Sequence, residues 1–393
     1  FLKRHKNQQV IKVVSGIRRC GKSTLFQLFK EHLLSQGVKP KNIISINFED
    51  LAFEHLQEYH ALYQYITENL QPDDMNYILL DEIQHVPSFE KAVDSLFIKE
   101  NTDVYITGSN AYFMSGELAT LLSGRYVELK MLPLSFHEYY EACGLKSNHT
   151  LSEIYDRYIQ NSSFPYTLQL NNNQQNIHEY LTGIYNSVIL KDVVGRLHIS
   201  DVKMLESIVK YLFANIGSLL SIRKIADSMT SAGRKIDNKT VERYISGLMD
   251  SLLIYQAERF DIRGKELLKV NPKYYVADAG LRYLKVGRNT QDTGHLLENT
   301  VYLELLRRGY TVYVGSITNG EVDFVAQKGQ DISYFQVSES TIYPEVLERE
   351  LKSLRRIKDN YPKYLLTLDE INTSANYDGI QKQNVLKWLL DTK

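Results

Sequence analysis

Gly16-Ile17-Arg18-Arg19-Cys20-Gly21-Lys22-Ser23-Thr24 has the spacing G-x-x-x-x-G-K-S, the pattern of a loop that cradles phosphates. Its flanks suit that role. Ile11-Lys12-Val13-Val14 is β-branched and reads as a strand. Thr24 to Leu34 reads as a helix, with Leu25, Leu28, Phe29 and Leu33 on one face and Gly37 as its stop. Gly16 and Gly21 let the backbone curl until its amides face one anion. The helix start adds the positive end of its dipole. Lys22 is expected to reach the β- and γ-phosphates of a nucleotide, and Ser23 to place its hydroxyl on Mg²⁺.

A second strand is expected at Ile43–Phe48, ending at Glu49-Asp50. The helical text after it is broken by Pro72. Tyr77-Ile78-Leu79-Leu80-Asp81-Glu82 follows. Four apolar residues in a row suit a parallel strand covered on both faces. Its acids then emerge at the carboxyl edge of the sheet, where ligands bind in such folds. Asp81 is the expected Mg²⁺ partner, and Glu82 the residue that orients or deprotonates the attacking water.

Val104-Tyr105-Ile106-Thr107-Gly108-Ser109-Asn110 reads as the next strand. At its polar tip Ser109 and Asn110 are candidates to sense the γ-phosphate, or else an ordinary strand-end turn. Arg125 precedes Tyr126-Val127-Glu128-Leu129. It is a candidate for stabilising transition-state charge, in cis or across a subunit interface, with a surface ion pair as the alternative. Arg18 and Arg19 are further candidates for charge or base-side contacts.

The 393 residues allow two to three domains. A net charge of −1 excludes a globally basic nucleic-acid binder, so any such binding must use a local patch. No apolar run approaches the roughly 20 residues that span a bilayer, and no membrane partner is expected. No signal peptide is visible. Cys20 and Cys143 are the only cysteines. They form neither a disulfide framework nor a zinc site and suit a reducing cytoplasm. The 28 tyrosines read as base composition of the gene rather than as a stacking platform for bases.

From His137 to about Gly195 the chain reads as a helical lid or linker. Asp201 to Phe213 is a further helix. Two short helices capped by Ser221 and Asp237, then a β-hairpin (Leu253–Phe260, Lys269–Asp278), form the outline of a winged helix-turn-helix. Arg259, Arg263 and Lys265 fall in or near its wing. Residues 215–265 hold nine Lys/Arg against six Asp/Glu, a net of +3, which leans towards DNA contact over a protein-contact module. The tail carries a second constellation. Glu298 lies in a helix, Asp323 in a strand, and Gln336-Val337-Ser338 in the next strand. Helix acid, strand acid, then acid-x-lysine is the layout of Mg²⁺-dependent restriction-type nucleases. Here Gln336 stands where an acid is needed and Ser338 where lysine is needed. The expectation is a nuclease-like fold with a degenerate site.

The chain as a whole resembles the prokaryotic AAA+-type ATPases joined to a C-terminal domain of unknown function. The resemblance rests on residues 16–24, Ile46-Asn47-Phe48-Glu49-Asp50, Leu79–Gln84, Thr107–Asn110, Leu122–Arg125, Leu132–Phe136, Leu296–Asn299 and Glu321–Val325. It implies ATP binding and hydrolysis with Mg²⁺, a winged-helix middle and a restriction-endonuclease-like tail, and it supplies no substrate. The expected organisation is α/β: a P-loop (AAA+/ASCE-type) parallel-sheet ATPase domain at 1–135, a helical lid or linker at 136–200, a winged helix at 201–280 and an α/β PD-(D/E)xK nuclease-like domain at 281–393. The expected function is a cytoplasmic ATPase whose nucleotide state controls a DNA- or protein-binding C-terminal half. The rival readings are a slow nucleotide-gated switch or scaffold on a protein partner, and an ATP-coupled nuclease. A homo-oligomer is open.

Overall fold

The computed structural model describes residues 1–109, 122, 124–143, 149–287, 292–318 and 320–391. The chain falls into two compact units, Phe1–Pro133 with Asp250–Leu252, and Leu134–Met249 with Leu253–Lys393. The expected divisions at 200/201 and 280/281 both lie inside the second of these.

The first unit is built on five strands, β1 (Ile11–Gly16), β2 (Ile43–Asn47), β3 (Asn76–Asp81), β4 (Thr102–Ser109) and β5 (Tyr126–Met131). They form one parallel sheet in the order β2-β3-β4-β1-β5. The continuous apolar runs follow from burial on both faces. Ile78 and Leu80 of β3 pack with Ile11, Val13, Val104 and Ile106 on one side. Tyr77 and Leu79 pack with Val14 and Tyr105 on the other. Because side chains alternate along a strand, neither face can be polar.

α1 (Lys22–Ser35) covers the second face through Phe26, Phe29 and Leu33. Of the expected stripe, Phe29 and Leu33 are buried and Leu25 packs partly against the same core, while Leu28 does not and Phe26 takes part instead. Leu28 is 57% exposed, since at 3.6 residues per turn it lies on the side opposite Phe26. α2 (Tyr59–Asn69) and α3 (Phe89–Phe97) cover the first face, with Leu62, Ile66, Ala92, Val93 and Leu96 buried.

The second unit opens with helices α4 (Phe136–Cys143), α5 (Leu151–Asn161) and α6 (Gln174–Ser187), the last running on into a π-helical turn at Val188–Gly195. α7 (Val202–Ala214), α8 (Ile222–Ser231) and α9 (Asn238–Asp250) follow. Ser221 accepts from the Lys224 amide and Asp237 from the Thr240 amide, so both act as N-caps. β6 (Ile254–Asp261) and β7 (Glu266–Val276) form the antiparallel hairpin, and Leu219 bridges to Lys273.

That hairpin is not free-standing. β6 pairs in parallel with β8 (Thr311–Ile317) through Arg259, Phe260 and Asp261. It extends an eight-stranded sheet of order β12-β13-β11-β10-β9-β8-β6-β7. Between β7 and β8 run α10 (Ala279–Val286) and α11 (Thr293–Arg307). β9 (Gly320–Lys328) and β10 (Asp331–Ser338) continue the antiparallel meander. α12 (Pro344–Arg355) then crosses to β11 (Lys363–Thr367), parallel to β10. Its Leu351 and Leu354 pack on Val322, Val325, Tyr334 and Leu365. β12 (Ser374–Tyr377), β13 (Ile380–Asn384) and α13 (Val385–Leu390) follow.

Candidate functional site

β1 lies between β4 and β5 and ends at Gly16. A side chain there has no room: a Cβ would lie 2.6 Å from the Met131 carbonyl oxygen and 2.7 Å from Cys20 Sγ. Gly21 has φ +108° and is the N-cap of α1, with no side chain capping the helix. Gly21 thus offers no side chain to cap α1, and the Lys22 amide faces the Cys20 thiol; the start of α1 presents its backbone amides and the positive end of its dipole to the loop. Cys20 is buried and its thiol is pushed up by desolvation, so it serves the loop as an apolar plug.

Lys22 is only 4% exposed. Its Nζ donates to the Gly16 carbonyl at 3.2 Å and lies 3.6 Å from Glu82 Oε1. Both acids sit at the carboxyl end of β3. Glu82 adopts the left-handed conformation, φ +54°, a strained turn that brings it beside Lys22 rather than along the strand. Burial raises the Asp81 pKa above the ordinary carboxylate value. Hydrogen bonds from Thr107 and Ser23 and the charge of Lys22 oppose that rise, and Glu82 adds to it.

Thr107, on the strand between β1 and β3, donates to Asp81 Oδ1 and accepts from the Glu82 amide at 2.9 Å. Gln84 donates to Glu82 Oε2. Both lie in motifs read from the sequence, but neither is given a role there. Thr107 opens the motif Thr107–Asn110, and its neighbouring strands are the available signal. The expected set Gly16, Gly21, Lys22, Ser23, Asp81 and Glu82 is thus brought together at one sheet edge. Ile17 is buried, Arg18 half-buried, and Arg19 and Thr24 exposed around the loop. Asn110 lies outside the described residues, and of Ser109 only the strand backbone is described.

Arg125 is not part of this cluster. Its carbonyl accepts from the Ile11 amide, at the start of β1. The phosphate loop follows the other end of that strand, so about six residues at roughly 3.3 Å each, ~20 Å, separate the two. Arg125 instead lies 3.8 Å from Asp94 and 5.5 Å over the Phe97 ring. The role in cis is thereby corrected: Arg125 precedes its strand instead of following one.

The second unit holds another buried cluster. Glu298 of α11 and Asp323 of β9 converge as expected, and the Asp323 amide donates to Gln336 Oε1 at 3.4 Å. At their centre is Lys273 of β7. Its Nζ is 3.0 Å from Glu298 Oε1, 2.6 Å from Glu321 Oε1 and 3.8 Å from Asp323 Oδ1. Burial alone would lower the Lys273 pKa, but Glu298, Asp323 and Glu321 outweigh it and raise it above the usual lysine value. Burial, then Glu298, push Asp323 above the carboxylate range, against Lys273 and the Val337 amide.

Tyr275 also donates to Glu298 Oε1, at 2.6 Å. Gln336 Nε2 donates to Glu350 Oε2 at 2.9 Å. Ser338 turns to the Ser340 carbonyl. Lys273 and Glu350 escape sequence reasoning, and Glu321 enters it only as the first residue of a quoted motif; Lys273 comes from the preceding hairpin and bears no fixed spacing to Glu298.

The first unit has the geometry of a P-loop nucleotide site, and residues 8–140 match the AAA domain family. Residues 152–292 match a domain of unknown function (DUF8612). An uncharacterized protein of Haemophilus influenzae is 39% identical over 387 residues, covering 98% of this chain and 95% of its own. An uncharacterized protein of Methanocaldococcus jannaschii is 30% identical over 410 residues, covering 95% and 84%. Among solved structures, the Walker-type ATPase PABY2304 of Pyrococcus abyssi aligns with 72% of this chain and 93% of its own, at 16% identity and a TM-score of 0.49. The chain belongs to the family of those Haemophilus and Methanocaldococcus proteins, with an AAA-type, P-loop ATPase-like domain at its N-terminal end.

Proposed function

We propose that this protein is a Mg²⁺-dependent ATPase whose nucleotide state controls a DNA- or protein-binding C-terminal half. The observation that carries the catalytic part is the convergence of Lys22, Ser23, Asp81, Glu82 and Thr107 beside the N-terminal start of α1. These residues fit the groups they would hold. Ser23 and Asp81 are already paired and offer oxygens to Mg²⁺, which would neutralise phosphate charge. Lys22 and the α1 amides bind and orient the phosphates. Glu82, held by Gln84, orients the attacking water and accepts its proton. Thr107 is a positioning residue that fixes Asp81 and Glu82 together.

For the C-terminal half, α8, α9 and the β6–β7 hairpin support a winged-helix reading of 201–280. The order α11, β8-β9-β10, α12, β11 supports a nuclease-like reading of 281–393. We favour an anionic partner for one reason. Arg349, Lys352, Arg355, Arg356 and Lys358 line a groove on α12 and the turn after it, against Glu345 and Glu348. Duplex DNA is therefore expected to stimulate ATP turnover, and the stimulation to fade steeply with salt. Lys352→Glu with Lys358→Glu should weaken DNA binding and flatten the salt dependence by about one unit of log–log slope for each phosphate no longer neutralised. Salt-independent stimulation, or none at low salt, would point to a protein partner and a slow nucleotide-gated switch. No helix among the described residues is long and apolar enough to cross a membrane, and we place the reaction in the cytoplasm.

Arg125 can serve the nucleotide only from a neighbouring subunit. If it does, ATPase activity per chain should rise with protein concentration, and Arg125→Ala should remove that rise. A rate per chain that is constant with concentration, in a protein that stays monomeric, assigns Arg125 to its pairing with Asp94 alone.

A further inference from the structure

A restriction-type nuclease centre holds a divalent cation between a helix acid and strand acids, and this chain places Glu298, Glu321 and Asp323 in that relation. A divalent ion needs oxygens free to approach to about 2.0–2.6 Å. Here the point between the carboxylates is taken by Lys273 Nζ, at 2.6 Å from Glu321 and 3.0 Å from Glu298. The lysine is 5% exposed along its side chain. It is fixed from both sides, since Lys273 pairs with Ala257 across the hairpin and bridges to Leu219.

Two of these acids have further partners: Glu298 Oε1, the oxygen beside Lys273, also accepts from Tyr275 at 2.6 Å, and Asp323 Oδ2 accepts from the Val337 amide at 2.8 Å. Gln336 stands where a third acid would be; its Nε2 donates to Glu350, and its Oε1, a neutral and poorer metal ligand than a carboxylate, accepts from the Asp323 amide at 3.4 Å. Among the described residues no three Asp, Glu, His or Cys side chains are grouped so as to hold a metal ion. The metal implied by the nuclease-like layout does not fit this centre.

We infer that Lys273 is the built-in cation of this centre, holding Glu298, Glu321 and Asp323 together where a nuclease would bind a divalent metal. The inference rests on the nuclease-like reading of the tail. An ammonium carries three donors and one charge, so it can satisfy several carboxylates without offering a Lewis-acid position to a phosphodiester. A lysine that activates water would stand beside a metal that the carboxylates held. In this chain the carboxylates hold the lysine itself. The C-terminal half would then keep the shape of a nuclease and lack metal-dependent cleavage.

The test is Mn²⁺ titration calorimetry on the full chain, stripped with chelator, with ATP turnover as the check on integrity. Wild type should show no Mn²⁺ binding that Asp323→Asn removes. Lys273→Met should gain one Mn²⁺ site, and Lys273→Met with Asp323→Asn should lose it again. Mn²⁺ should raise the Tm of the Lys273→Met protein by more than that of wild type, and Asp323→Asn should remove the difference. If wild type binds Mn²⁺ through Asp323, the built-in cation is refuted while the nuclease-like reading stands. A folded Lys273→Met protein that gains no site overturns the inference, and the nuclease-like reading, whose site is already expected to be degenerate, stands. Should Lys273→Met unfold in chelator, Mn²⁺ must restore it; failure to do so also overturns the inference.

Discussion

Lys22→Ala is expected to lower ATP turnover by about 10²–10³-fold or more, the usual cost of one preorganised transition-state donor. Two features raise the expectation above that of an ordinary surface lysine. The Lys22 side chain is buried, and its ammonium is already held by Gly16 and Glu82, so little reorganisation remains when phosphate arrives. Its removal also leaves Glu82 without its cation at the point where phosphates would sit. Nucleotide affinity should therefore fall together with turnover. Phosphate release and binding of a fluorescent ATP analogue, measured on the same preparation, check both. A purified Lys22→Ala protein with normal turnover would remove the phosphate loop from the catalytic reading.

Glu82→Gln separates binding from chemistry. The substitution keeps size and the left-handed turn at residue 82, and a glutamine can still meet Gln84. It cannot accept a proton from water. Turnover should fall by about 10²–10⁴-fold, the range for a positioned general base. Binding should persist, because the phosphates are held by Lys22 and the α1 amides, and removal of a negative charge beside them favours it. The variant should accumulate as the ATP complex. If binding disappears along with turnover, Glu82 supports the site's structure and another group handles the proton.

The parallel sheet and the phosphate loop are legible in the sequence because both faces of β1, β3 and β4 are buried. Such strands declare themselves as unbroken apolar runs, and the acids after β3 then fall at a known edge. What escapes such reading depends on strand adjacency or on direction. Thr107 matters because β4 lies between β1 and β3, an order that no local pattern encodes. Leu28 falls outside the buried stripe because it lies two residues, about 200° of helix, from Phe26, away from the face that Phe26 shares with Phe29 and Leu33. Arg125 suits a nucleotide by residue type, yet it stands before β5 and so at the far edge of the sheet.

In the tail, the order of helix and strands is enough to find Glu298, Asp323 and Gln336. A lysine is expected two residues after Gln336, and Ser338 stands there. The lysine at the centre arrives instead from β7, through a pairing between β6 and β8 that only the folded sheet reveals.

That pairing also constrains how such a chain can be inherited. Lys273 and the three acids lie on either side of residue 280, where a winged helix and a nuclease-like domain would be parted on paper. Exchange at that point would deliver one lineage a cluster of buried carboxylates without its counter-charge, and another a buried lysine without partners, each costly to fold. It would also strip β8 of its neighbour and open an edge to wrong pairing. The hairpin and the carboxylate domain must therefore descend as one block, and the joint at which this architecture can be reshuffled lies elsewhere, near Pro133, where one compact unit ends and the next begins.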